Sequence, residues 1–122
     1  MKNIFFQKGW ITIAIGLLIS FYANSQNTIK TETFTVKGNC EQCQSRIENA
    51  SDIKGVKISK WDVDKKILTV TYDSKKTSVE QIEQAIAKAG HDAGKVNASD
   101  ADYKKLPACC QYKDHVCDDK KK

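Results

Sequence analysis

Residues 61–73 read WDVDKKILTVTYD. Trp61 and Val63 alternate with aspartates, while Leu68, Val70 and Tyr72 alternate with Thr69, Thr71 and Asp73. A period of two is the mark of a strand with one face buried. Asp64-Lys65-Lys66, polar and uninterrupted, makes the turn between the two halves. The first strand begins near Val56, and the two form an antiparallel hairpin.

On each side of the hairpin the period changes from two to that of a helix. Upstream, from about Gln42, Ile47, Ala50 and Ile53 recur at three-residue spacing, and Gly55 is expected to end that helix. Before it, TETFTV (residues 31–36) alternates again, with Phe34 and Val36 on one face, and Gly38-Asn39 breaks the strand. Downstream, residues 77–80 (TSVE) fit a capping box. Val79, Ile82, Ala85, Ile86 and Ala89 then share one helical face, and Gly90 suits the position just past the helix end. Residues 91–96 are expected to form a short fourth strand, weakened by Gly94. The resulting order is β-α-β-β-α-β, a ferredoxin-like α+β sandwich with two helices on one face of an antiparallel sheet. That domain is read as residues 30–97.

The ends differ in character. Lys2 and Lys8 precede an apolar run over residues 10–21 (WITIAIGLLISF), and Ala23-Asn24-Ser25 places small residues at a cleavage site. The run is shorter than the roughly 20 residues needed to cross a hydrocarbon core of about 30 Å. Residues 1–25 therefore read as a signal peptide, and the protein as periplasmic or secreted, touching a membrane only while that peptide is uncleaved. No cysteine follows the run to carry a lipid. Residues 98–122 lose all periodicity. LPACCQYKDHVCDDKKK (residues 106–122) holds the chain's one proline and three of its cysteines, and reads as an irregular Cys-rich tail.

With 122 residues the chain has room for one domain. The net charge of +5 comes from 20 basic and 15 acidic residues that are interspersed, with no basic stripe interleaved with aromatics, so nucleic acid is not an expected partner. No acid–base pair, nucleophile triad or phosphate loop is present, and the chain does not read as an enzyme.

Five cysteines remain to be explained, an odd number in a compartment where thiols usually pair. Cys40 falls in the loop after the first strand and Cys43 in the first turn of the following helix. There the free N–H groups and the helix dipole favour a thiolate. Two thiolates on one loop suit a soft ion of low coordination number such as Cu(I), and not Mg²⁺ or Ca²⁺. A structural zinc wants four ligands, of which the loop supplies two. A small disulfide staple and thiol–disulfide exchange use the same spacing, so the residues alone leave three readings open. Against exchange stand the element order, which is not that of a thioredoxin, and the lack of a proline within the domain to flank the thiols. In the tail, Cys109, Cys110, His115 and Cys117 place four more ligand atoms within nine residues. Three of these at most would surround one ion, and a disulfide from Cys117 to one of the adjacent pair is the competing arrangement. A tail that folds back over Cys40 and Cys43, as a lid or a second site, is a further expectation whose path the sequence does not fix.

A strand ending in VKGNCEQC, a helix, the hairpin WDVDKKILTVTYD and then TSVEQIEQAIAKAGHDA resemble the heavy-metal-associated domain. That family includes copper chaperones, N-terminal modules of copper-exporting ATPases and periplasmic mercury-binding proteins. The resemblance covers residues 31–96. It implies the ferredoxin-like fold, metal held by Cys40 and Cys43, and cargo that is Cu(I) first, with Hg(II) or Zn(II) behind it. It also implies a metal-donor or acceptor protein, such as a metal-transporting ATPase, as partner to a monomer or a metal-bridged dimer. Transfer would proceed by exchange of thiolate ligands. The alternatives are a thiol–disulfide oxidoreductase and a buffer that sequesters metal without passing it on. Two departures stand out. The loop before Cys40 is Gly38-Asn39, short and without the family's methionine. His91 occupies a loop position where the family often has Tyr, Phe or Lys, and its imidazole is a candidate third ligand.

Overall fold

The computed structural model describes residues 27–114. The expected signal peptide, His115 and Cys117 lie outside them. Strand β1 (Ile29–Thr35) leads into helix α1 (Glu41–Ser51), strands β2 (Val56–Asp62) and β3 (Ile67–Asp73) form the hairpin, and helix α2 (Val79–Lys88) follows. The sheet is antiparallel in the order β1-β3-β2, so β3 is central. Its alternating residues Leu68, Val70 and Tyr72 are buried. They share one core with Cys43 and Ile47 of α1 and with Ile82 and Ile86 of α2. The ferredoxin-like α+β arrangement expected from the periodicity is the fold observed.

Four local readings are corrected. The strand expected over residues 91–96 is reduced to two isolated bridges, Val36 with Ala93 and Ala93 with Val96. Gly94 turns the chain there at φ +51°, with Gly94 N–H donating to the Thr35 carbonyl at 2.8 Å, so no ladder propagates. At the start of α2 the cap is Ser78, one residue later than expected. Its hydroxyl accepts from Gln81 N–H, while Thr77 bonds the Gln81 side chain. At the end of α1 the helix stops at Ser51, and Gly55 serves the turn into β2 at φ +98°. In the hairpin Val63 belongs to the turn, where Asp62 Oδ1 accepts the N–H groups of Asp64 and Lys65 at 2.9 Å each.

The larger difference follows Asn97. The expected irregular tail is, through residue 114, a folded arm. It comprises a short helix α3 (Asp100–Lys104), capped by the Ser99 hydroxyl, and a 3₁₀ turn (Ala108–Cys110) preceded by Pro107. Tyr103, Leu106 and Cys110 of this arm are buried in the same core as the sheet. Gly90 makes the contact close: a Cβ there would lie 2.8 Å from both the Asp102 carbonyl oxygen and Leu106 Cγ. The Tyr112 hydroxyl ties the arm down again, accepting from Asp92 N–H at 3.0 Å and donating to the Gly90 carbonyl at 3.3 Å. Among the described residues no helix is long and apolar enough to cross a membrane.

Candidate metal centre

The loop between β1 and α1 rests on Trp61. The indole N–H donates to the Val36 carbonyl at 3.0 Å, and a Cβ on Gly38 would meet the ring at 3.0 Å and Cys43 Cβ at 3.0 Å. With any side chain at this position, the indole or Cys43 would have to give way by a few tenths of an ångström. Lys66, from the hairpin turn, holds the loop from the other side: its ammonium donates to the Asn39 carbonyl at 3.2 Å and lies 5.3 Å from the Trp61 ring centroid.

This support delivers Cys40 as the N-cap of α1, in extended conformation and with a side chain that makes no capping hydrogen bond. A serine or aspartate at that position would accept an N–H of the first turn. With Cys40 the first turn keeps its partial positive charge for a sulfur anion or a sulfur-bound ion. Cys43, one turn on, accepts Asn39 N–H at 3.3 Å. The Cys40 and Cys43 sulfurs lie 4.0 Å apart, about twice a disulfide bond length of ~2.05 Å, so the pair is not bridged to itself.

The arm brings a third sulfur. Sγ atoms of Cys40, Cys43 and Cys110 all lie within 4.8 Å of one another, and the three residues are buried. Burial, reinforced by the neighbouring Cys43 and Cys109 sulfurs, pushes the Cys110 thiol far above its ordinary range, so without a ligand it keeps its proton. Cys109 points elsewhere. Its sulfur is 2.6 Å from Gln42 Oε1 and 3.9 Å from the Cys110 sulfur, and its carbonyl accepts from Asn39 Nδ2 at 3.4 Å.

The heavy-metal-associated domain model matches residues 33–92. A copper chaperone, CopZ, of Staphylococcus haemolyticus is 37% identical over 54 residues, which span 43% of this chain and 79% of the chaperone. The chain belongs to the heavy-metal-associated domain family. Among solved structures, oxidized MerP from Ralstonia metallidurans aligns with a TM-score of 0.52 at 31% identity, covering 54% of this chain and 94% of MerP. The N-terminal domain of a potential copper-translocating P-type ATPase from Bacillus subtilis, solved in the Cu(I)-loaded state, aligns with a TM-score of 0.52 at 27% identity, covering 59% of this chain and 92% of that domain.

The heavy-metal-associated module ends at residue 92, so the arm that carries Cys109 and Cys110 lies beyond the matched residues. Within the module, His91 is fully buried. Its Nδ1 lies 2.8 Å from the Lys37 carbonyl. A carbonyl only accepts, so Nδ1 carries the proton and Nε2 the lone pair; Nε2 is buried without a hydrogen-bond partner. Burial pushes the imidazole pKa below its ordinary value, the Arg46 charge acts in the same direction, and the Lys37 carbonyl and Asp92 oppose it. His91 stacks on Tyr112, with ring centroids 5.8 Å apart, and is not among the three residues whose ligand atoms converge.

The residues that hold the arm, chiefly Gln42, Asn39 and Tyr112, carry no ligand or packing signal in the sequence. The arm itself carries one signal. Ser99 with Asp102 three residues on is a helix-start pattern, and Tyr103 and Leu106 then share a face. For Gln42 and Tyr112 no periodicity points the way, because their partners are fixed only by the tertiary path.

Proposed function

We propose that this protein captures a soft, thiophilic metal ion on Cys40 and Cys43 and passes it on by thiolate exchange, with Cu(I) as cargo ahead of Hg(II) and Zn(II). The observation that carries this reading is the pair of sulfurs 4.0 Å apart at the start of α1, in a domain of the heavy-metal-associated family. The converging atoms are all sulfur, a donor set that selects soft ions. The copper chaperone and the Cu(I)-loaded ATPase domain among its relatives favour copper in particular. An acceptor with its own thiolates, such as a metal-transporting ATPase, would enter the open coordination sphere as the loop sulfurs leave. The signal-like sequence of residues 1–25 supports a periplasmic or secreted setting for this exchange. On this reading the protein is a carrier and not an enzyme, monomeric unless two loops share one ion.

The test is an anaerobic Cu(I) titration of the reduced protein against a competing chelator, beside the Cys40→Ser/Cys43→Ser variant. Stoichiometric binding that the double change abolishes is the expected result. Equal, weak binding by both proteins would remove the metal reading and leave thiol–disulfide exchange as the account of the loop. Transfer rates to a candidate acceptor separate a carrier from a sequestering buffer.

A further inference from the structure

We propose that Cys110 is the third ligand of this centre, so that the arm converts an open two-sulfur loop into a closed trigonal thiolate site. The inference rests on the reading of Cys40 and Cys43 as metal ligands and adds to it the residue, the coordination number and the consequence for transfer.

Separation of the sulfurs points to three-coordination. With metal–sulfur bonds of about 2.3 Å, a planar trigonal site spaces its sulfurs by about 4.0 Å, and a linear pair by about 4.6 Å. The loop sulfurs lie at 4.0 Å and the trio within 4.8 Å. The metal-free arrangement is thus already close to what a trigonal ion requires, and a linear ion would need the loop sulfurs to move apart.

The position of Cys110 is also built, not incidental. Its N–H bonds the Pro107 carbonyl at 2.8 Å in the 3₁₀ turn, Asn39 Nδ2 reaches the adjacent Cys109 carbonyl, and Gln42 meets the Cys109 sulfur. Leu106 is set in the core and Tyr112 is pinned to Asp92 and Gly90. These contacts fix the turn from both sides. They also divide the adjacent cysteines, one sulfur facing Cys40 and Cys43 and the other Gln42, which resolves how neighbouring residues avoid competing for one ion.

Binding then requires all three sulfurs as thiolates, any that is still a thiol giving its proton to solvent as its sulfur bonds the ion, with no change of oxidation state. Release to a partner runs in the opposite order: an incoming thiolate bonds the metal, the Cys110–metal bond breaks, and Cys110 regains a proton. The arm ligand is the natural one to leave first, since Cys40 and Cys43 share a single short segment. Cys110 therefore favours retention of the ion until a partner displaces the arm.

X-ray absorption at the copper edge of the full-length protein, loaded anaerobically with one equivalent of Cu(I), tests this. Three sulfurs are expected in the wild type and in Cys109→Ala, and two in Cys110→Ala. In chelator competition Cys110→Ala should bind more weakly by at least the ~10–100-fold that loss of even an outer-shell partner costs a metal site. Two sulfurs in the wild type, or a third that survives Cys110→Ala, would overturn the assignment while leaving the two-cysteine reading intact. Binding unchanged in Cys40→Ser/Cys43→Ser would instead overturn that reading and this inference together. Should Cys110→Ala fail to fold, Cys110→Ser, close in volume, replaces it, and the wild-type sulfur count still decides against the proposal if it is two.

Discussion

Trp61 shows how one side chain does two jobs at this site. Its ring supports the Gly38 loop, and its N–H satisfies a carbonyl at the end of the first strand's extension. Trp61→Phe keeps most of the apolar volume and deletes the donor. A carbonyl left unpaired in the interior costs about 1–3 kcal/mol, and urea denaturation of the metal-free protein should show a loss of that size. His91 supplies a pH dependence. Its folded-state pKa lies below the ordinary value of 6.5, so the unfolded chain takes up a proton before the folded one does. The neutral imidazole's contribution to stability is fully present above pH 6.5 and is lost as pH falls through the lower folded value. Melting temperatures recorded between pH 7.5 and 5.5 should fall more steeply for the wild type than for His91→Asn, which can still donate to the Lys37 carbonyl but does not titrate.

At the scale of elements, the arm is the part whose status matters most. Leu106 is 3% exposed and packs where Gly90 brings α2 close. Truncating a leucine so placed costs about 2–5 kcal/mol. Leu106→Ala should therefore lower the unfolding midpoint by that equivalent, whereas a loose tail would show no effect. The hairpin was legible because Leu68, Val70 and Tyr72 alternate without a break and each is buried. Helix α2 was legible because Ile82 and Ile86 repeat at four residues. The arm was not, since α3 is a single capped turn and the 3₁₀ segment has no period to read. The fourth strand was expected from the β-α-β-β-α-β order and not from composition: residues 91–96 (HDAGKV) hold one strand former, Val96, and Gly94 reverses the chain where a ladder would have continued. Within the site, Cys40 and Cys43 could be picked out by spacing. The convergence of Cys110 on them depends on an arm whose anchors, Tyr112 and Gln42, are ordinary polar residues in the sequence.

For the molecule as a whole, the sulfur cluster joins segments that the sheet does not. A ligand that binds only the native state stabilises it by RT ln(1 + [L]/Kd), about 4.1 kcal/mol at a thousandfold excess over Kd. Calorimetry with increasing chelator-buffered Cu(I) should show the melting temperature climbing with free metal, and no climb in Cys40→Ser/Cys43→Ser. The strand pairings are also unevenly distributed along the chain. Hairpin partners are neighbours in sequence, whereas Thr31 and Thr71 stand 40 residues apart and Asn39 and Cys109 70 apart. Contacts that close long loops form late, because the chain entropy must be given up before they return anything. The β2–β3 hairpin is thus the natural nucleus, and the sulfur cluster is among the last parts of the molecule to come together. On the proposed transfer reading, an acceptor drawing out the ion would meet the cluster at the arm while the hairpin stays folded.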